Sequence, residues 1–169
     1  MKIRLFLVLL FLILSQKNSF ATSSYVLPYP GHMPGNKLYI LDQAVDTVQN
    51  LFSFGNISQF KYRLSLSDRY LVEAKTLFEY KQYKLAMNAL LKSDENFVKV
   101  YPFLKKAQKQ GVNISEKEKL FQEASAKHRE TLLELIPKVP SEFFWEDENS
   151  KPLKLKIHKK IKNSIKLHS

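Results

Sequence analysis

Four histidines, at positions 32, 128, 158 and 168, are the residues whose type best suits metal binding or proton transfer near neutral pH. A metal-binding helix needs such residues paired one turn apart, with carboxylates or cysteines completing the set. Here no two histidines stand at i, i+4, no carboxylate cluster of that kind accompanies them, and the chain has no cysteine. His128, within Lys127-His128-Arg129-Glu130, reads as part of a charged and solvated helix face. Among carboxylates, Glu116 and Glu118 fall at a helix start, where negative charge complements the helix dipole, and Glu146-Asp147-Glu148 falls in a linker. No serine occupies a Gly-x-Ser-x-Gly elbow, and no glycine-rich phosphate loop is present. The expectation is a protein that is not an enzyme, with no metal, no cofactor and no small-molecule substrate.

The densest chemistry is electrostatic. The chain carries a formal charge of +11, and taking away Lys2, Arg4 and Lys17 of the N-terminal segment brings it to +8. Seven lysines lie in residues 151–169 with no acid among them: Lys151, Lys154, Lys156, Lys159, Lys160, Lys162 and Lys166. Residues 22–150 therefore hold only +1 of that +8, so the basicity belongs to a tail and not to the body. On a helix starting near Pro152, Leu153, Ile157, Ile161 and Ile165 form one stripe while Lys156, Lys159, Lys162 and Lys166 face away, the pattern of an interfacial amphipathic helix. Alternation from Leu153 to His158 leaves an edge strand or a disordered arm open. The partner expected for the tail is an anionic membrane surface or an acidic wall polymer. A weaker partner surface is formed by Tyr62, Arg63, Arg69 and Tyr70, for which the plainer reading is snorkelling arginines, Arg69 near Glu73, beside half-buried tyrosines.

Met1-Lys2-Ile3-Arg4, the apolar run Leu5 to Leu14 and the small residues Ser19 and Ala21 have the layout of a secretory signal peptide, with cleavage expected after Ala21. Ten helical residues span about 15 Å, half of a bilayer core of about 30 Å, which favours a cleaved signal over the alternative of a retained membrane anchor. The expected location is exported, in the cell envelope or outside the cell, peripheral to the outer face of the membrane. Export and the near-neutral body argue against nucleic acid as a partner. The alternative to surface attachment is an adaptor or sensory domain that binds another exported protein, with the tail incidental; a hydrolase with an unrecognised site is a remote one.

Those surfaces need elements to carry them. Residues 22–37, with Pro28, Pro30, Pro34, Gly31 and Gly35, read as an extended strap. Leu38, Leu41, Val45, Val48 and Phe52, widened by Ile40, Ala44 and Leu51, repeat with helical period, so a first helix with this buried stripe is expected from Leu38 to Phe54. A second helix, capped by Ser58, runs to about Lys81. A third covers Tyr83 to about Gln108, with a kink or break near Tyr101 ahead of Pro102. A fourth, with capping-box spacing at Ser115-Glu116-Lys117-Glu118, extends to about Ile136, and Phe143, Phe144 and Trp145 then cap the bundle. The fold class is all-α, an antiparallel bundle of about four helices. The chain divides into signal peptide 1–21, strap 22–37, helical bundle 38–145, and an acidic linker with basic tail 146–169.

Tyr25-Val26-Leu27-Pro28-Tyr29-Pro30-Gly31, Pro34, Leu38-Tyr39, Asp68-Arg69-Tyr70-Leu71, Tyr83-x-x-Ala86 and Lys127-His128-Arg129-Glu130 together resemble an uncharacterised family of exported bacterial domains. That family has a Leu-Pro-x-Pro-Gly strap ahead of a helical hairpin and occurs in bacteria of poorly cultured candidate phyla. The resemblance implies an envelope protein of unknown function and supplies no catalytic residues. His32-Met33 within the strap and Asn36-Lys37 just before Leu38-Tyr39 depart from the family pattern.

Overall fold

The computed structural model describes residues 24–147 and 150–168. Ala21 and the apolar run before it lie outside the described residues. The elements are α1 (Lys37–Phe52), α2 (Asn56–Glu79), α3 (Tyr83–Lys109), α4 (Ser115–Leu135), a 3-10 turn (Ile136–Lys138), β1 (Phe143–Asp147), β2 (Ser150–Leu155) and α5 (Ile157–Leu167). The all-α bundle holds, with one antiparallel hairpin, Phe143 opposite Leu155 and Trp145 opposite Leu153, set before the last helix.

The frame is the long α2–α3 hairpin. Ala74, Ala86 and Ala89 are buried where the two helices meet, and small side chains permit that approach. Lys81 closes α2 in the left-handed region (φ 60°), with its N–H on the Phe78 carbonyl and the Gln82 N–H on that of Leu77. Gly111 does the same for α3 (φ 81°), with Val112 N–H reaching the Ala107 carbonyl. The third helix does not break at Pro102. It runs from Tyr83 to Lys109 with the proline inside, because the proline and the Val98 carbonyl it leaves without a donor lie on an exposed stretch that water can reach. Nor do the two expected serine caps form: α2 is preceded by Gly55 and α4 by Ile114, and Asn113 Oδ1 accepts from the Ser115 N–H instead.

Two hydrophobic clusters stack along the bundle. One joins Leu71, Leu77, Phe78, Leu90, Leu132 and Leu135 to Leu155, Ile157 and Ile161 of the C-terminal segment. The other joins Phe60, Leu64, Phe97, Val100, Leu104 and Ala124. The tail is therefore no separate arm. Its Leu155, Ile157 and Ile161 are core residues; of the stripe expected to meet a membrane, Ile157 and Ile161 are buried against α3 and α4 and Ile165 is half-buried, while Leu153 lies exposed in β2. Both local patterns read from the tail are realised, the alternation as β2 and the helical period as α5. The aromatic trio divides: Phe143 meets Tyr83 edge-on with ring centroids 4.8 Å apart, Trp145 packs on the first cluster, and Phe144 is exposed.

The strap lies against the bundle through Leu27, Met33 and Tyr25. The first helix forms almost where expected, but it packs the other way round. Its one buried residue is Asp46, while Leu38, Ile40, Leu41, Val45, Val48, Leu51 and Phe52 are 47–73% exposed. The helical period is realised, but the apolar stripe faces away from the core.

Candidate functional site

Between the two hydrophobic clusters α2, α3, α4 and α5 each carry polar residues at one level. Ser67 and Asp68 come from α2, Ser93 and Asp94 from α3, His128 from α4 and Ser164 from α5, all buried. The two serines exchange bonds across the α2–α3 contact: Ser67 Oγ donates to the Ser93 carbonyl (3.0 Å) and Ser93 Oγ to that of Ser67 (2.8 Å). Each neighbouring aspartate faces a histidine on another element. Asp68 Oδ1 accepts from His128 Nε2 at 2.7 Å, and its Oδ2 accepts from the Tyr25 hydroxyl of the strap at 2.5 Å. Asp94 Oδ2 accepts from Lys160 Nζ at 2.6 Å and from Ser164 Oγ at 2.8 Å, while its Oδ1 lies 3.8 Å from His168 Nε2. The His128 and His168 rings meet edge-on with centroids 4.7 Å apart, and Phe97 contacts both.

The electrostatics follow from burial. A carboxylate accepting from His128 Nε2 fixes the imidazole proton on that nitrogen. Burial, then the Asp68 carboxylate it donates to, raises the Tyr25 phenol above its ordinary value. Burial first, then the facing His128 and Arg129, pushes His168 down to about 3, so it is neutral at physiological pH. Among the described residues neither nitrogen of the His168 ring has a hydrogen-bond partner. The layer can hold protons in a defined arrangement, and both imidazoles are buried among the described residues. His128 was expected on a solvated face; it is wholly buried, because Asp68 supplies the polar partner that makes burial tolerable. The layer leaves a faint trace in the sequence, the repeated Ser-Asp at 67–68 and 93–94, each interrupting an apolar row.

The basic and aromatic surface expected on α2 does hold a partner, but the partner is α1 of the same chain. Arg69 pairs with Asp46, the Tyr62 hydroxyl donates to the Asp46 carbonyl at 2.8 Å, and Arg63 bridges Asn96 at 3.1 Å and Asn50 at 3.3 Å. Tyr70 lies beside the Arg69 guanidinium and the Lys92 ammonium. Tyr39 donates to Glu73, whose carboxyl is raised, chiefly by burial. Arg69 thus serves Asp46, not Glu73 as its spacing implied.

The tail lysines separate into two sets. Lys160 is committed to Asp94, and Lys154 pairs with Glu142 at 2.6 Å across the hairpin. Lys159, Lys162 and Lys166 are exposed on the side of α5 opposite Ile157 and Ile161, and Lys156 is exposed at the residue that precedes the helix. Lys151 lies in β2. A shallow groove between strap, α2 and α4 sets Lys75 and Lys127 against Glu79 and Glu134, so it presents no net charge to a ligand.

These features define an all-α bundle built on a helical hairpin, with an N-terminal strap bonded into a buried polar layer. The chain belongs to the family described as a domain of unknown function (DUF5667), whose model matches residues 31–142. The matched span holds the Asp68–His128 half of the layer and ends at Glu142, so Lys160, Ser164 and His168 come from beyond it. No curated protein and no solved structure matches the chain.

Proposed function

We propose that this chain is an exported, non-enzymatic attachment protein of the cell envelope, held on an anionic surface by the lysine face of α5. One observation carries the reading. Lys159, Lys162 and Lys166 project from a helix whose opposite side is locked in the core, Lys156 is exposed at the residue that precedes it, and residues 150–168 contain no acid to neutralise them. Each such lysine contributes about 1 kcal/mol near an anionic membrane, screened over roughly 8–10 Å by salt. Four exposed and unneutralised therefore give reversible, salt-sensitive adhesion. The signal-peptide layout of residues 1–21 supplies the address. Since Ile157 and Ile161 are occupied by the core, attachment is electrostatic and involves no insertion of the helix into lipid.

The chain from Thr22 onward is sedimented with neutral vesicles, with phosphatidylglycerol vesicles and with a soluble anionic wall polymer, at low and physiological salt. Truncation before α5 would strip core residues, so the comparison is a variant with Lys156, Lys159, Lys162 and Lys166 replaced by glutamine. Binding to the anionic targets alone, released by salt and lost in the variant, supports the proposal, and the stronger target separates lipid from polymer. Equal behaviour of variant and parent would overturn it.

A further inference from the structure

We propose that the outward apolar face of α1 is the contact between two copies of this chain, an isologous pairing of their α1 helices. Leu38, Leu41, Val45, Val48 and Phe52 repeat at intervals of 3, 4, 3 and 4 residues, the seam by which one helix packs on another. Ala44 and Leu51 flank that seam on the same side. The seam reads nearly alike in both directions from Val45, so an antiparallel pair sets Leu38 of one copy beside Phe52 of the other and opposes their helix dipoles.

Area and charge both favour a second copy. From their exposure, Leu38, Leu41, Val45, Val48, Leu51 and Phe52 present roughly 600 Å² to water on this side of α1, against about 800 Å² per partner in a standard interface. Scattered exposed leucines need no explanation, but a continuous apolar helix face of this size does. Two of the three charged residues of α1 lie off the face, Asp42 against His32 at 2.9 Å and Asp46 against Arg69, and the third, Lys37, stands at the end of the face on the first residue of the helix. Depletion of charge at the centre is the mark of an interface core. An interfacial membrane helix carries lysine and arginine on its polar side. The polar side of α1 instead carries two aspartates and is turned onto its own body, which disfavours an anionic lipid surface as occupant. The polar contacts to α2 hold the helix in one orientation, so the face is presented ready-formed.

Sedimentation equilibrium of the chain from Thr22, which keeps every described residue, tests the pairing. The expected mass is twice that of one chain and is insensitive to salt, which separates this contact from the lysine attachment. Leu41→Asp combined with Val45→Asp should return the single-chain mass with unchanged helix signal, since both side chains are exposed within one copy. Val98→Asp, at an exposed apolar site on α3, should leave the pair intact. Independently of any variant, α1 amides should exchange more slowly as protein concentration rises while α3 amides do not. The proposal is overturned by a single-chain mass over about a hundredfold range of concentration. It is also overturned by a pair that survives the double substitution, or by flotation of the single-chain species with neutral vesicles that the double substitution abolishes. Loss of pairing in a chain that retains residues 1–21 would assign the face to the N-terminal apolar run.

Discussion

His168 lies one residue from the last position of the chain, yet its ring sits between Phe97 and His128 in the centre of the bundle. An imidazole there resists protonation: its value falls from 6.5 to about 3. The unfolded chain takes up this proton near 6.5 and the folded one does not, so unfolding binds a proton throughout the interval. Stability is then complete above 6.5 and falls as the pH drops from 6.5 towards 3, by up to about 1.4 kcal/mol per pH unit from this residue. The groups facing it are Asp94 of α3, Lys160 of α5 and His128 and Arg129 of α4, and His128 is itself bonded to Asp68 of α2. Urea unfolding of the parent and of His168→Phe at several pH values below 6.5 should give a steeper loss in the parent, because phenylalanine keeps the volume and removes the proton site. Identical slopes would remove His168 from the account. At this scale little was legible in advance. His128 stands among Lys127, Arg129 and Glu130, and local composition marks it as solvated. Its burial depends on Asp68, sixty positions away, which no window along the chain can contain.

Among the elements, helix existence was far more readable than helix partnership. The boundaries of α2, α3 and α4 lie within a few residues of those implied by apolar period, Gly55 and Gly111, because backbone geometry and short-range sterics set them. The fate of an amphipathic face is different. In α5 the stripe Ile157 and Ile161 looks free in isolation and is core in the fold; in α1 the stripe looks like core and is outside. The tail's place in the core has a direct test. Ile161→Ala should lower unfolding free energy by about 2–5 kcal/mol, the cost of removing a buried aliphatic group, whereas on a solvated arm the change would stay within about 0.5 kcal/mol. Chemical denaturation followed by circular dichroism distinguishes the two. The reversal of α1 has its reason in the surface it meets. The side of α2 that meets α1 offers Tyr62, Arg63, Arg69 and Glu73, which pair with Asp46, Asn50 and Tyr39, so the polar side of α1 is the one that finds partners there.

For the whole molecule the two proposed surfaces reinforce each other. A pair joined through α1 presents two lysine faces, and a second weak attachment becomes effectively intramolecular once the first is made. Leu41→Asp combined with Val45→Asp touches no lysine, yet it should weaken binding to anionic vesicles by about tenfold or more, provided both α5 helices of the pair reach one surface. Vesicle sedimentation at fixed ionic strength reads the effect, and unchanged affinity would mean that a single lysine face acts alone. Neither surface needs an apolar membrane span, and among the described residues no helix is long and apolar enough to cross one.

By itself the sequence determined most of where the chain turns and where it coils, since glycine and apolar period act over a few residues; Pro102, inside an unbroken α3, is the exception. It also determined the all-α class, the strap ahead of the hairpin, and the segregation of charge into a lysine-rich end. Only the tertiary structure decided that the end belongs to the core, that Lys160 serves Asp94, that two Ser-Asp pairs meet two histidines in one layer, and that α1 turns its apolar side outward. The physical reason is common to all four. Burial of a face or a charge is set by what lies opposite it, and the groups opposite these residues come from distant parts of the chain or, for α1, from a second copy as proposed above.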